Sequence, residues 1–419
     1  MFDYEKWQEI LATVSKNKLR TALTMFGVFW GIFMLIILLG AGQGLKNGVA
    51  GDFAAWNTNS GFVWTQKTTM PYAGFKPGRY YQLDWDDYLN IRDQTEGLQY
   101  LAPRIQLGNY GNNNNVVRDQ ESGAFSVYGD TPQYAKIALR DYPKGRFINE
   151  NDMAEKRKVC VIGKRVQEVL YKDDETVIGT HIRINGIFFK VIGIYHSRRK
   201  QGAKYDEDDI HIPFTTYQNA FGSGNRVGWF AFGAFPDYDA TKVESSIRKA
   251  VGARHSVHPD DKAAIGSANL SKEFNQIKGL FLGIEGFNWL VGACTLLAGA
   301  IGISNIMLIV VKERTKEIGI RKSLGATPWS IISLILQESV ALTAFAGLLG
   351  LLFGVGVLEY LSKMMGGPGG GSGVFTDPTV DFNVAMVALI VIILFGLVAG
   401  LLPAKKAASI HPIEAMRAD

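Results

Sequence analysis

The sequence predicts an α-helical membrane protein with four transmembrane helices and one large α+β domain outside the bilayer. Three observations predict it: long apolar stretches confined to the two ends of the chain, basic residues gathered beside them, and a polar middle that reads like a soluble domain. Of the 419 residues 47% are hydrophobic and only 20% are charged. The mean hydropathy of +0.05 averages over that segregation. A net charge of +5, dispersed in this way, does not point to nucleic acid. Cys160 lies in the polar middle and Cys294 in an apolar stretch, so no internal disulfide is expected.

A membrane-spanning helix needs about 20 mostly apolar residues. Residues 21–45, 276–311, 329–362 and 382–403 supply four of them; the second opens with a stalk and its apolar run, 280–311, is broken only by Glu285, and that of the third, 329–358, only by Glu338. A cleaved leader is the rival reading of the first. Its length, the helical segment before it and the lack of an A-x-A-like site argue against that. Basic residues mark the cytoplasmic side. Lys16, Lys18 and Arg20 precede the first stretch, five basic residues from Lys312 to Lys322 separate the second from the third, and Lys405, Lys406 and Arg417 follow the fourth. Both termini and the segment 312–328 are therefore expected in the cytoplasm. Residues 46–275, and the short loop 363–381 with Lys363, are expected outside, and 404–419 form a cytoplasmic tail.

Gly27/Gly31, Gly350/Gly354 and Gly396/Gly400 each have the GxxxG spacing that lets helix backbones approach closely in lipid, which favours a packed bundle. Before the first stretch, Trp7, Ile10, Leu11 and Val14 fall on one helical face, so residues 1–20 read as an interfacial amphipathic helix. Between the second and third stretches, 312–327 is too charged for lipid and too short to fold alone. Ile318, Ile320 and Leu324 give it an apolar side, Gly319 and Gly325 permit breaks, and Thr327-Pro328 has the form of an N-cap followed by proline in the first turn. These features suit an elbow that docks on a cytoplasmic partner, and equally a solvated basic loop.

The run KERTKEIGIRKSLGA at 312–326 resembles the signature of MacB/FtsX-type ABC permeases, the mechanotransmission or type VII group. The tail LLPAKKAASIHPIEAMR at 401–417 resembles that family's closing motif, and KLRTAL at 18–23 through GAGQG at 40–44 resembles its first span. The resemblance implies a coupling helix seated on an ABC ATPase, carried here by Thr315, Glu317, Ile318, Gly319, Ile320, Arg321, Leu324 and Gly325. It also implies a working unit of two permeases, as a homodimer or related heterodimer, with two ATPases in a bacterial inner membrane, and a periplasmic core domain with porter-like and sabre-like subdomains. A periplasmic adaptor and an outer-membrane channel are further partners it admits. The family's best-known efflux member has its ATPase fused to the permease. Here no G-x-x-x-x-G-K-[ST] occurs, the nearest fragment being Gly163-Lys164-Arg165, so ATP and Mg are expected on a separate subunit and this chain is expected to hold no cofactor.

In the middle domain, strands are expected at 61–66, 98–106, 227–235 and 254–258, with helices at 84–94 and after Asp239. The two similar halves suggest one α+β subdomain built from both ends and interrupted by a strand-rich insertion at 108–220. Asn185-Gly186 marks a hairpin turn within the insertion. Asn112–Asn115 reads as a loop tip. Leu270, Phe274, Ile277, Phe281 and Ile284 recur at heptad spacing, so the second span is expected to begin as a stalk outside the membrane, paired with an extension of the first span near 45–53.

No catalytic motif is found, and His255-x-x-His258 lacks a third ligand for a metal. The expected function is therefore that of a non-enzymatic permease transmitting ATP-driven change to its outside domain for export. The alternatives are lipoprotein release or regulation of envelope hydrolases and, from another class, a proton-driven carrier using Glu285 and Glu338 or a scaffold without transport.

Overall fold

The computed structural model describes residues 18–108, 113–172, 175–199, 203–364, 378 and 382–411. The amphipathic helix expected at 1–20 thus lies almost wholly outside the described residues, as do most of loop 363–381 and the end of the tail. The chain forms two compact units, Met1–Gly48 with Leu280–Asp419, and Val49–Gly279.

Two helices contribute to both units: α1 (Lys18–Phe53), and a 44-residue helix, Leu270–Glu313, taken up below. After α1 the second unit opens with β1 (Ser60–Thr65), β2 (Leu83–Asp84), α2 (Trp85–Gln94) and β3 (Leu98–Gln106). Asp84 starts α2 through a capping box with Asp87. The insertion follows as β4 (Asn114–Arg118), β5 (Glu121–Asp130), α3 (Tyr134–Ile137), β6 (Arg140–Gly145), α4 (Glu150–Ala154), β7 (Val159–Gly163), α5 (Lys164–Leu170), β8 (His181–Ile184), β9 (Ile187–Ser197), α6 (Ala203–Asp206), β10 (Asp209–Pro213) and α7 (Phe214–Phe221). The unit closes with β11 (Arg226–Val227), β12 (Trp229–Ala234), α8 (Ala240–Arg254) and β13 (Ile265–Asn269).

The pairing explains why the two ends belong together. Strands β3, β12, β1 and β13 lie side by side and antiparallel, so residues more than 160 apart in sequence form one sheet. Helix α8 turns Ala240, Val243, Ile247 and Val251 inward at spacings of three and four, as an amphipathic helix must. In the insertion, β5 pairs with β4 on one side and, in parallel, with β10, and the path β10-β7-β9-β8-β4-β5 closes on itself. Closure leaves these strands without free edges. Strand β3 joins the two parts by pairing with β12 along most of its length and with β5 at Ile105 and Gln106.

Three sequence expectations are corrected here. Residues 254–258 are not a strand: α8 runs to Arg254, Ser256 takes a positive φ of 48°, and the edge strand is β13, which begins at Ile265. The His-Ser-Val run there follows a helix end, which periodicity alone did not reveal. The asparagine tract is more than a loop tip. Asn114 is buried in β4, donating to the Leu107 carbonyl at 3.0 Å and accepting from Asn185 at 3.3 Å. The strand expected at 227–235 divides into β11 and β12, separated by Gly228. Asn185 and Gly186 both have positive φ, 44° and 89°, which is the backbone a two-residue hairpin turn between β8 and β9 requires.

The other unit is helical. It holds the first part of α1 and, from Leu280 on, α9 (Leu270–Glu313), with α10 (Thr315–Ser323), α11 (Pro328–Met364) and α12 (Phe382–Ala408). Four of these helices are long and apolar enough to cross a membrane. Their contacts run through small residues. A Cβ at Gly27 would lie 3.6 Å from the Gly299 backbone, and one at Gly31 3.4 Å from that of Thr295, so α1 crosses α9 there. A Cβ at Gly350 would stand 2.6 Å from the Phe29 carbonyl oxygen, and one at Gly354 2.8 Å from Ile36, where α11 meets α1. Gly396 and Gly400 bring α12 equally close to Thr343 and Ser339 of α11, and the Ser339 hydroxyl donates to the Gly396 carbonyl at 2.9 Å.

Candidate functional site

The most heavily charged segment between apolar helices is the elbow formed by the end of α9, α10 and the start of α11. Its bends follow from local chemistry. Helix α9 stops at Glu313, Arg314 leaves the helical region with ψ at 14°, and the Thr315 hydroxyl donates to the last carbonyls, Val311 at 3.1 Å and Lys312 at 2.8 Å. Helix α10 ends in a Schellman motif. The Gly325 N–H donates to the Lys322 carbonyl at 3.1 Å and the Ala326 N–H to the Arg321 carbonyl at 3.0 Å, with Gly325 at φ 99°. Thr327 then caps α11, accepting from the Ser330 N–H at 3.3 Å.

The apolar side expected of this segment splits into two opposed faces. Ile318 and Gly319 are buried, Ile318 among Met307 and Val311 of α9 and Ile331 and Ile335 of α11. Ile320 and Leu324 are 48% and 82% exposed, and Trp329, in the first turn of α11, is 72% exposed. The reason is helical geometry: positions 318 and 320 are about 200° apart at 3.6 residues per turn. Ile318 thus secures the elbow to its own chain, and the outward apolar surface consists of Ile320, Leu324 and Trp329. Glu317 pairs with Arg321 one turn on at 2.8 Å, a geometry that stiffens the exposed face.

Two long-range contacts tie the elbow down. Arg314 reaches the buried Glu338 of α11 at 3.5 Å. Lys322 Nζ donates to the carbonyls of Ala408 at 2.7 Å and Ile410 at 2.8 Å, at the end of α12, where terminal carbonyls lack intrahelical partners. The Lys322 contact spans 86 residues and left no local signal. Glu285 is exposed on α9.

Along α9 the stalk residues Leu270, Phe274, Ile277, Phe281 and Ile284 form a half-buried stripe, flanked by exposed residues on both sides. Within the second unit the Phe274 ring meets Phe53 of α1, with centroids 5.5 Å apart. Within the helical unit Asn288 donates to the Leu38 carbonyl at 3.1 Å. The two helices are thus in contact at both places.

The β domain holds a buried charged cluster that the sequence did not announce. Arg104 of β3 pairs with Asp130 at the end of β5, Asp130 accepts from His211 Nδ1 of β10 at 2.5 Å, and His211 Nε2 faces the Arg140 guanidinium. Arginine can only donate, so Nε2 must accept and the imidazole is neutral. Burial and the neighbouring Arg140 push its pKa down to about 3. Burial alone would raise the Asp130 carboxyl, but Arg104 and His211 outweigh it and bring it to about 2. The residues come from four strands, three of them in the insertion, so the cluster fixes the junction of sheet and barrel and offers no open site. His255 donates instead to Asp87 at 2.9 Å, and among the described residues no group of three metal ligands is assembled.

Comparison with known proteins agrees with this architecture. The profile of the MacB-like periplasmic core domain matches residues 21–250, and that of the FtsX-like permease C-terminal region matches 289–412. The chain is 28% identical over 410 residues to the macrolide export ATP-binding/permease protein MacB of Bdellovibrio bacteriovorus, covering 97% of this chain and 60% of that protein. It is 30% identical over 427 residues to the protein of the same name from Wolinella succinogenes, covering 99% and 61%. It is 26% identical over 414 residues to YknZ, an uncharacterized ABC transporter permease of Bacillus subtilis, covering 97% of each. The chain therefore spans about 60% of the length of its MacB relatives and nearly all of YknZ.

Proposed function

Because the chain belongs to the MacB/FtsX-like family of ABC transporter permeases, we propose that it carries the ATP-driven movement of a separate ATPase subunit to its MacB-like domain. The elbow receives the movement on Ile320, Leu324 and Trp329, and the long helices deliver it. Termini and elbow face the cytoplasm of an inner membrane, the domain 49–279 lies outside, and two copies act with two ATPases. ATP and Mg reside on the ATPase. Export across the envelope is the activity carried in the names of the MacB relatives and is the reading favoured for this chain.

The observation that supports this best is the continuity of α9. Its 44 residues make about 66 Å of helix at 1.5 Å per residue, roughly twice the thickness of a bilayer's hydrocarbon core. In sequence this one helix runs without a break from the end of β13 to the elbow. YknZ, matched over nearly its full length, carries the name of an ABC transporter permease.

The test is co-expression with a P-loop ATPase, co-purification, and ATP turnover in lipid vesicles with and without the chain. Stimulated turnover, together with labelling of a Ser323→Cys variant by impermeant maleimide only from the cytoplasmic side, supports the proposal. Equal turnover, or labelling from outside, overturns it.

A further inference from the structure

The connection between β1 and β2 is too ordered and too apolar at its surface for a plain loop. Ten consecutive residues, 69–78, are exposed, and they include Met70, Tyr72 and Phe75, followed by Tyr80 at 73% exposure. They form a small hairpin. Tyr72 and Phe75 exchange backbone hydrogen bonds of 3.2 and 2.9 Å around Ala73 and Gly74, both at positive φ, 49° and 85°. Ala73 is held in a region that costs an L-residue about 1–2 kcal/mol, so its surroundings enforce the turn.

Those surroundings are specific. The Asp261 carboxylate accepts from the Thr69 N–H at 2.6 Å, the Met70 N–H at 3.0 Å and the Thr69 hydroxyl at 2.7 Å. Arg79 donates to the His255 and Ser256 carbonyls and stacks 4.0 Å from the centre of the Phe75 ring. The Tyr72 ring stands edge-on to His258, 5.3 Å away. The aromatic tip is thus built before any partner arrives, which lowers the ordering cost of binding.

Charge and position select the occupant. Residues 66–83 carry Lys67, Lys76 and Arg79 and no acid, and the acid at the hairpin's base that is exposed is Asp260. A second copy meeting this hairpin isologously would set cations against cations. A lipid surface is disfavoured by topology within the domain. β1 and β13 pair with Gly61 opposite Asn269 and Thr65 opposite Ile265, so α1 and α9 attach at one end of the pair and the hairpin at the other. Four residues of strand, roughly 13 Å, separate those ends.

We propose that the hairpin 66–80 is a docking tip for an acidic, apolar-sided segment of a partner polypeptide on the side of the membrane where this domain lies. This deepens the permease reading by assigning a partner surface, and it relies on that reading only for the domain's location outside the bilayer. The experiment places p-benzoyl-phenylalanine at position 72 of the full chain, irradiates cells and purifies the chain. An adduct with a different polypeptide is expected, with an acidic peptide joined to position 72. Its yield should fall at least fivefold in a Lys67→Glu/Lys76→Glu variant and in Phe75→Ser, and recover when the acids of that peptide are changed to lysine in the charge-reversed background. The lysine substitutions leave the Asp261 and Arg79 contacts in place, Phe75→Ser removes the ring stacked on Arg79, and an unchanged melting curve verifies the fold of each variant. An adduct at twice the chain's mass, adducts to lipid alone, a yield indifferent to charge reversal, or no adduct overturns the proposal. The adduct does not require ATP hydrolysis, so its absence leaves elbow coupling standing, and lost coupling leaves the adduct unaffected.

Discussion

Replacing Leu324 with aspartate should uncouple the chain from its ATPase without unfolding it, and replacing Ile318 with alanine should do the reverse. Leu324 is 82% exposed, so its removal costs the isolated chain within about 0.5 kcal/mol. Under a partner, a fully buried leucine contributes about 1.5–3 kcal/mol, so its loss weakens association roughly 10- to 100-fold, before the added cost of burying a carboxylate. Ile318 is 4% exposed and packed among α9 and α11, where truncation to alanine costs about 2–5 kcal/mol of the chain's own stability. Two assays separate the cases: thermal melting in detergent, and stimulated ATP turnover at rising ATPase concentration. For Leu324→Asp the melting curve should stay and the half-saturating ATPase concentration should rise at least tenfold. For Ile318→Ala the melting temperature should fall, with coupling per folded molecule retained. Unchanged turnover with Leu324→Asp, or an uncoupled Ile318→Ala of normal stability, would refute the assignment of faces.

Gly350→Leu should lower the melting temperature by the equivalent of about 1–3 kcal/mol, because its side chain would meet the Phe29 carbonyl and Ile32, whereas Gly283→Leu, with nothing within 4 Å, should leave it unchanged. Lys322→Gln should raise amide exchange at the end of α12 without altering α9, since the lysine holds the carbonyls of Ala408 and Ile410. The β domain should show opposed pH slopes. His211, depressed to about 3, contributes stability that is complete above about 6.5 and lost as pH falls, while Asp209, raised by burial to about 7, favours folding as pH falls from 7 towards 4. In His211→Gln the melting temperature should therefore rise on acidification over that window. In Asp209→Asn it should fall, and circular dichroism against pH would read both.

The long helices were legible because a bilayer demands sustained apolar runs. Their ends were less so. α9 begins at Leu270 and α12 continues to Ala408, since charged residues such as Lys272 and Lys405 extend a helix beyond any apolar window. At the elbow, composition marked the segment, but the three apolar residues between 318 and 324 did not reveal that Ile318 is buried while Ile320 and Leu324 are exposed. That division is set by α9 and α11, which cover Ile318. Arg104, Asp130, His211 and Arg140 are spread over more than 100 residues and met only once the barrel closed. The hairpin tip escaped notice because its apolar residues match neither helical nor strand periodicity, and its anchor Asp261 lies 192 residues from Thr69.

The central claim is that nucleotide state below the membrane moves the domain above it. The most direct measurement is the distance between spin labels at Lys249→Cys in the two copies of an assembled complex, with Cys294 replaced by serine, recorded without nucleotide and with ATP trapped on the ATPase. The account predicts that the whole distance distribution shifts between the two states, and that the shift disappears in Leu324→Asp. One identical distribution in both states, in a complex whose ATP turnover the chain stimulates, would contradict it.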